Sequence, residues 1–431
     1  MALDLSEKQL KGLKMLQDPD KGYILFTGGA RSGKTFLIVE FMVGRAFQFP
    51  GSRQLVVRKT RISAKESLWD DSFTKYLSTH IPSSEYEMLK SELVIKFSNG
   101  STIMIAGLDD AARADKILGT EYITIFCNEA TQLEYDVIGT LKTRLAQRVY
   151  DVDGKFVAAN KMVLDCNPRQ PTHWLYIWGI LLKDPSTKPY KPLIDAERHA
   201  TLHWTPEDNI KNLPPNFIEE HLDTLPHEAR ERMRFGRWCG SEGAIFKEFN
   251  DKIHMIEPFE LPRYWPRIRA IDFGFDHPMA FLHAAYDFNT DTLYIYYEFK
   301  ESGLTIDKLA DKLDSVEKEL NEFYEVQWAD HSKTDRAFLA NRGIITRPAK
   351  KSVTDGINAV RERLVVDSTL GRPKLLIFNT CDGLRDEMYA YTWHEDRSQV
   401  ADSDKPVKLD DDLVDCLRYI CYGQAKQNPI F

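Results

Sequence analysis

The sequence contains no apolar run close to the roughly eighteen residues that cross a bilayer. Its opening stretch, MALDLSEKQLKGLK, lacks the apolar core of a signal peptide. A membrane role and secretion fall outside this reading, and the chain is expected to work in a cytoplasm. Cysteine is scarce: Cys127, Cys166, Cys239, Cys381, Cys416 and Cys421 are the full set. No two form CxxC and no histidines stand at zinc spacing, so reduced structural thiols are expected rather than a disulfide scaffold or a zinc module. Positive charge is not in excess. A net charge of −8 argues against a basic coat for passive DNA storage, though a local basic groove stays open. There is no internal repeat and no low-complexity tract.

What remains is globular in composition, with 43% hydrophobic and 28% charged residues, and 431 residues are too many for one ordinary core. Two domains are expected: 1–240, a linker at 241–255, and 256–431, with the pattern changing near residue 245. The first half alternates short β-rich runs with helical stretches. YILFT (23–27), QLVVR (54–58), YITIFC (122–127) and KMVLDC (161–166) read as strands, and 34–47 reads as a helix. LVIKF and TIMIA flank the turn Ser98-Asn99-Gly100 as a hairpin. This alternation implies an α/β domain with a mostly parallel sheet. Residues 181–215 read as an irregular excursion, and 216–224 and 227–236 as helices. In the second half RIRAIDFG is a strand, AFLHAAYDFNTDTLYIYYEF a hairpin turning at Asn289–Asp291, and 305–321 a helix. EVQWAD (325–330) is a further strand, and a last helix is expected near 411–424.

Gly28-Gly29-Ala30-Arg31-Ser32-Gly33-Lys34-Thr35 fits G-x-x-x-x-G-K-[ST] between a strand and a helix. In such a loop the glycines let backbone N–H groups face the phosphates of ATP. Lys34 neutralises β/γ charge and Thr35 offers a hydroxyl to Mg²⁺. Arg31 is placed to act on the γ-phosphate in cis, and Glu129, after the strand YITIFC, to polarise the attacking water. The alternative role for Glu129 is a helix cap. Asn128 stands where an Asp usually holds Mg²⁺, which leaves either weaker magnesium binding or help from Asp165 or another carboxylate. Asn167 in DCNP is placed to sense the γ-phosphate. Arg58 and Arg61 read more readily as a solvated basic edge, and Gln9 as a solvated helix residue rather than an adenine reader.

In the second half Asp272 and Asp330 each end an apolar strand, while Asp412 and Asp415 share one helical face. Carboxylates delivered by separate elements suit two divalent cations, Mg²⁺ or Mn²⁺, in phosphodiester cleavage. Any one of these aspartates, taken alone, is equally a structural loop residue.

GGARSGKT, FCNEA, DCNP, HWTPEDN, FGRWCGSEGAIF, AIDFGFDHP and DDLVDCLRY occur in the order found in the large terminase subunits of tailed bacteriophages and prophages, and the chain resembles that family over nearly its whole length. The resemblance implies a P-loop ATPase domain joined to an RNase H-like nuclease. Such a protein cuts concatemeric viral DNA and pumps it into a procapsid. It implies Lys34 and Thr35 as ligands of ATP-Mg, Glu129 as the catalytic carboxylate and Asn167 in the coupling motif. Asp272, Asp330 and Asp415 would hold the nuclease metals, with Asp412 a less regular fourth. The implied partners are double-stranded viral DNA, a small terminase subunit and a portal protein. The chain would form a homo-oligomeric ring on the portal and a monomer in solution, in the host cytoplasm and transiently at the portal vertex. The basic stretches EARERMRFGR (228–237) and RPAKK (347–351) are the candidate DNA-facing segments, with an ordinary solvated face as the alternative for each. Rival readings are a non-viral DNA-dependent ATPase or helicase-like repair protein, and a nucleotide-binding recruitment protein without turnover.

Overall fold

In the computed structural model the described residues are 5–109, 117, 119–150, 153–157, 160–240, 243–274, 277–350, 352–393, 406–407 and 410–425. The chain divides into two units: Met1–Pro185 with Lys191–Cys239, and Ser186–Tyr190 with Gly240–Phe431.

The apolar runs of the first unit, the central ones buried on both faces, become strands. These are β1 (Tyr23–Gly28), β2 (Arg53–Arg58), β3 (Tyr86–Leu89), β4 (Val94–Phe97), β5 (Thr102–Gly107), β6 (Thr124–Cys127), β7 (Lys161–Cys166) and β8 (His199–Trp204). They form one sheet in the order β8-β1-β7-β6-β2-β5-β4-β3. The six strands from β8 to β5 run parallel, and only β4 and β3 are antiparallel. Near-continuous Ile, Val, Leu and Phe in β1, β6 and β7 suits a parallel sheet covered on both sides. The helix Lys34–Gln48 covers one face, packing Leu37, Ile38, Phe41 and Met42 with Ile24, Phe26, Val56 and Val163. On the other face Leu25, Leu55, Ile125 and Leu164 pack with Leu175 and Trp178.

The excursion expected at 181–215 contains β8, which pairs parallel with β1. Its sequence, HATLHW, alternates apolar and polar residues because β8 is an edge strand, so it lacks the continuous apolar signature of its neighbours. Of the two helices expected next, the first is a short π-helical turn, Ile218–Leu222, and the second spans His227–Met233.

The second unit carries β9 (Met255–Ile256), β10 (Arg267–Asp272), β11 (Met279–Asp287), β12 (Thr292–Glu301), β13 (Val326–Ala329), β14 (Arg347–Pro348) and β15 (Leu375–Phe378). Their order is β9-β15-β12-β11-β10-β13-β14. β10, β11 and β12 are an antiparallel meander. β13 pairs parallel with β10, β14 with β13, and β15 with β12. The terminal helix Asp412–Ala425 lays Leu413, Leu417 and Ile420 on one face, against Ile268, Ala270, Ala280 and Leu282. The helix Ile306–Leu320 lays Leu309, Leu313 and Val316 on the other, against Ile271, Phe281 and Ala329. In the stretch expected to be a linker, Ile245, Phe246 and Phe249 are buried in the second unit's core and β9 joins its sheet. All six cysteines are unpaired, and five are buried.

Trp204, at the end of β8, is fully buried with its ring 5.2 Å from that of Phe26. A Cβ on Gly28 would lie 2.0 Å from the Trp204 carbonyl oxygen, so β8 holds the start of the phosphate loop at a separation that only glycine permits. Trp204→Ala should therefore cost about 3–5 kcal/mol, the usual loss for emptying a buried aromatic site. Urea unfolding of the full chain measures it, and a loss under about 1 kcal/mol would show that β8 is not part of the core.

Candidate functional site

Parallel strands deliver their C-terminal ends to one edge, and ligands bind in the crevice beyond that edge. Gly28 ends β1, Arg58 ends β2, Asn128 and Glu129 follow β6, and Asp165 lies near the end of β7. The register sets them side by side, with Phe26 opposite Asp165 and Cys127 opposite Leu164. A cavity of about 540 Å³ opens there. Ala30, Arg31, Ser32, Gly33, Lys34, Thr35, Asn128, Glu129, Asp165 and Asn167 line it. Gly28 and Gly29 form the base of the loop instead. Gly33 adopts a left-handed φ of 87° where the loop enters the helix, a conformation that favours glycine.

The buried Lys34 ammonium turns back on its own loop. It donates to the Gly29 carbonyl at 2.7 Å, the Gly28 carbonyl at 3.2 Å and Ser32 Oγ at 3.0 Å. Burial pushes its pKa down, opposed by the charge of Asp165. Thr35 Oγ1 donates to Asp165 Oδ2 at 2.9 Å. Asp165 also receives Asn128 Nδ2 at 2.9 Å and the Glu129 amide at 2.8 Å. Burial raises the Asp165 pKa, and the Glu129 amide and Lys34 oppose the rise. Asn128 Oδ1 is buried without a hydrogen-bond partner. A hydroxyl, a carboxylate and an amide oxygen are hard donors, the set that suits Mg²⁺.

Glu129 has left-handed backbone angles, φ 50° and ψ 51°, which cost energy in a non-glycine residue and cluster at functional sites. Arg58 pairs with its Oε1 at 2.8 Å, and Gln132 bonds its Oε2. Arg58 thus lies in the site rather than on a solvated edge. Arg61 turns away, donating to the Ser91 carbonyl at 3.1 Å. Gln9 is buried, and its side-chain oxygen accepts the Ser6 amide in the helix cap. Ser67, Asp71 and Ser72 enter the cavity from the π-helical segment Lys65–Phe73, and Asn209 from the loop after β8. Sequence reasoning missed them, and only Asn209 left a signal, in the capping pattern TPED before it.

In the second unit Asp272 ends β10 and Asp330 follows β13, its parallel neighbour. The terminal helix brings Asp412 and Asp415 over the same end. All four line a cavity of about 280 Å³, together with Asp410, Asp411, His277 and Tyr419. Burial and the charge of Asp415 push the Asp272 pKa up to about 8, while Tyr419, donating to Oδ1 at 3.0 Å, pulls it down. Two of the carboxylates have cationic partners. Arg418 Nε donates to Asp415 Oδ1 at 3.1 Å, and Lys300 pairs with Asp412 at 2.7 Å and with Glu387 at 2.8 Å. Among the described residues no three His, Cys, Asp or Glu side chains stand in a ready-made metal arrangement. The donors are nevertheless all oxygen, which fits divalent Mg²⁺ or Mn²⁺. Sequence reasoning missed Lys300, which is distant in the chain. Arg418 and Tyr419 were visible in the terminal helix without a role.

Of the two basic segments, 228–237 has three paired arginines. Arg232 bonds the Pro168 carbonyl, Arg234 pairs with Glu207 and Asp223, and Arg237 with Glu231. Arg347 and Lys350 are exposed, and Lys351 lies outside the described residues.

Residues 25–253, more than half of the chain, match the family described as "Terminase large subunit, T4likevirus-type, N-terminal". The terminase large subunit of Enterobacteria phage LP7 is 25% identical over 246 residues, covering 55% of this chain and 47% of that protein. That of Salmonella phage P22 is also 25% identical over 246 residues, covering 55% and 45%. The chain thus spans about half the length of these two relatives. That of Escherichia phage T5 is 23% identical over 441 residues, covering 97% of this chain and 90% of that protein. Among solved structures, the large terminase of a thermophilic bacteriophage aligns over 98% of this chain and 99% of that one, at 22% identity and a TM-score of 0.46. The chain belongs to the terminase large subunit family.

Proposed function

We propose that this chain is a packaging enzyme with two active sites, an ATPase in the first unit and a metal-dependent endonuclease in the second, both acting on double-stranded viral DNA. The observation that carries the reading is the convergence of Lys34, Thr35, Asp165 and Glu129 on one cavity, in a chain of the terminase large subunit family. A helicase-like repair ATPase would account for that cavity but not for the four aspartates gathered in the second unit.

In the first site ATP phosphates replace the loop carbonyls as partners of Lys34. Thr35 and Asp165 face the magnesium position, and Mg²⁺ when bound supplies charge neutralisation for the β- and γ-phosphates. Arg31 lies exposed on the cavity wall, free to approach the γ-phosphate, with Asn167 nearby as its sensor. Glu129, steadied by Arg58 and Gln132, accepts the proton of the attacking water. The energy released moves DNA. In the second site Asp272, Asp330 and Asp415 would hold divalent cations, with Asp412 beside them. Such cations, when bound, activate water and neutralise the leaving oxygen of a phosphodiester. Arg418 orients Asp415, and Tyr419 orients Asp272. The proposed partners are a small terminase subunit and a portal protein, with a ring of copies assembling on the portal of a procapsid in the host cytoplasm. Arg347 and Lys350 are the exposed cations proposed to meet DNA phosphates.

Lys34→Ala should abolish ATP hydrolysis while leaving Mn²⁺-dependent plasmid cutting in place. A phosphate-release assay and a nicking gel on the same preparation test both halves, and hydrolysis near the parent rate would remove the phosphate-loop assignment. Glu129→Gln should still bind ATP yet hydrolyse it about 100-fold slower or worse, the scale of a lost general base.

Asp272→Asn removes a part-buried carboxyl whose charged form is disfavoured by burial and by the neighbouring Asp415. It should raise the metal-free melting temperature by about 2–4 °C, the shift that roughly 1 kcal/mol gives a domain of this size. It should also erase both the Mn²⁺-induced stabilisation and the cutting. Full cleavage with an intact Mn²⁺ shift would refute the nuclease site.

A further inference from the structure

The family's usual magnesium carboxylate is missing, because the residue after β6 that would carry it is Asn128. An amide at this position brings no charge. Yet a carboxylate does stand beside the Thr35 hydroxyl, and it comes from the neighbouring strand. Asp165 Oδ2 accepts Thr35 Oγ1 at 2.9 Å, the hydroxyl that the G-K-T pattern assigns to the metal. The register makes this possible, since β7 lies between β1 and β6 in the sheet and carries Asp165 opposite Phe26. Asn128 Nδ2 spans both carboxylate oxygens, at 2.9 and 3.1 Å, and the Glu129 amide holds Oδ1 at 2.8 Å. Asn128 lines the cavity, and its Oδ1 is buried without a hydrogen-bond partner.

We propose that Asp165 is the magnesium carboxylate of the nucleotide site, displaced by one strand from its usual place, and that Asn128 is its positioning residue. Mg²⁺ in nucleotide sites needs only one or two protein carboxylates, because phosphates and water complete its shell. Asp165 with Thr35 supplies that minimum. A further consequence is that a second carboxylate at position 128 is unwelcome, because it would replace a hydrogen-bond donor with a like charge beside a buried anion. The inference rests on the ATPase reading and is tested so that the two fail differently.

The experiment uses the full chain and a fluorescent ADP analogue, titrated with Mg²⁺ and also measured in EDTA. Mn²⁺ electron paramagnetic resonance of the bound nucleotide reports the ligand set. Asp165→Asn should raise the Mg²⁺ needed for half-maximal tight binding by about 10- to 100-fold, the scale of losing a metal-site interaction. Binding in EDTA is measured for each variant, so that the Mg²⁺ requirement is read relative to that variant's own metal-free affinity. Asn128→Asp should not lower the Mg²⁺ requirement. The exchange Asn128→Asp with Asp165→Asn keeps one buried carboxylate and one amide, and should recover most of the parent Mg²⁺ dependence. It stands in for Asp165→Asn should that variant fail to fold. An unchanged Mg²⁺ titration and Mn²⁺ spectrum in Asp165→Asn overturns the proposal alone, as does a lower Mg²⁺ requirement in Asn128→Asp. An exchange variant that recovers nothing also overturns it. A parent chain that binds no nucleotide with or without Mg²⁺ overturns the ATPase reading and this proposal together.

Discussion

One buried carboxylate organises the first unit's functional edge. Asp165 accepts hydrogen bonds from Thr35, Asn128 and the Glu129 amide, and so ties the start of the helix after the phosphate loop and the segment after β6 to the end of β7. Burying an anion is costly unless its lone pairs are occupied, and here three donors occupy them. The phosphate loop, the strained Glu129 backbone and the asparagine that replaces an aspartate all take their positions relative to this group. Arg58 extends the arrangement outward by pairing with Glu129, and the π-helical segment after β2 closes the cavity wall.

The second unit handles the same electrostatic difficulty in another way. Six aspartates line one small cavity, which would be unfavourable for a set of bare charges. Lys300 and Arg418 partner two of them, Tyr419 donates to a third, and Asp272 is pushed towards its protonated form. Without cations the site is therefore an assembly of ion pairs around one carboxyl, Asp272, held above the usual carboxylate range, rather than a ready-made metal cage. The packing that holds it is ordinary: apolar residues of the terminal helix on one sheet face and of Ile306–Leu320 on the other.

Much of this is legible in the residues, for identifiable reasons. Lys34 and Thr35 declare themselves because a phosphate loop is local, with every functional position inside eight residues. Asp272 and Asp330 are visible as polar ends of apolar runs, and Asp412 and Asp415 through their spacing on a helix. What escapes depends on long-range register. In the sequence Asp165 is no more than a helper, because its place beside Thr35 follows from the parallel pairing of β1 with β7. Arg58 reads as a surface cation until the sheet sets β2 beside β6. The edge strand β8 is hidden by its own alternation, and Lys300 by its distance in sequence from Asp412.

The central claim is that one chain carries two separate divalent-cation sites, one made with nucleotide and one without. Anomalous diffraction from crystals grown with Mn²⁺ and a non-hydrolysable ATP analogue tests it directly. The expected result is one peak beside Thr35 and Asp165 that disappears when the nucleotide is omitted, and density among Asp272, Asp330 and Asp415 that persists. Absence of any peak among those three aspartates, or a nucleotide-site peak remote from Asp165, would contradict the account.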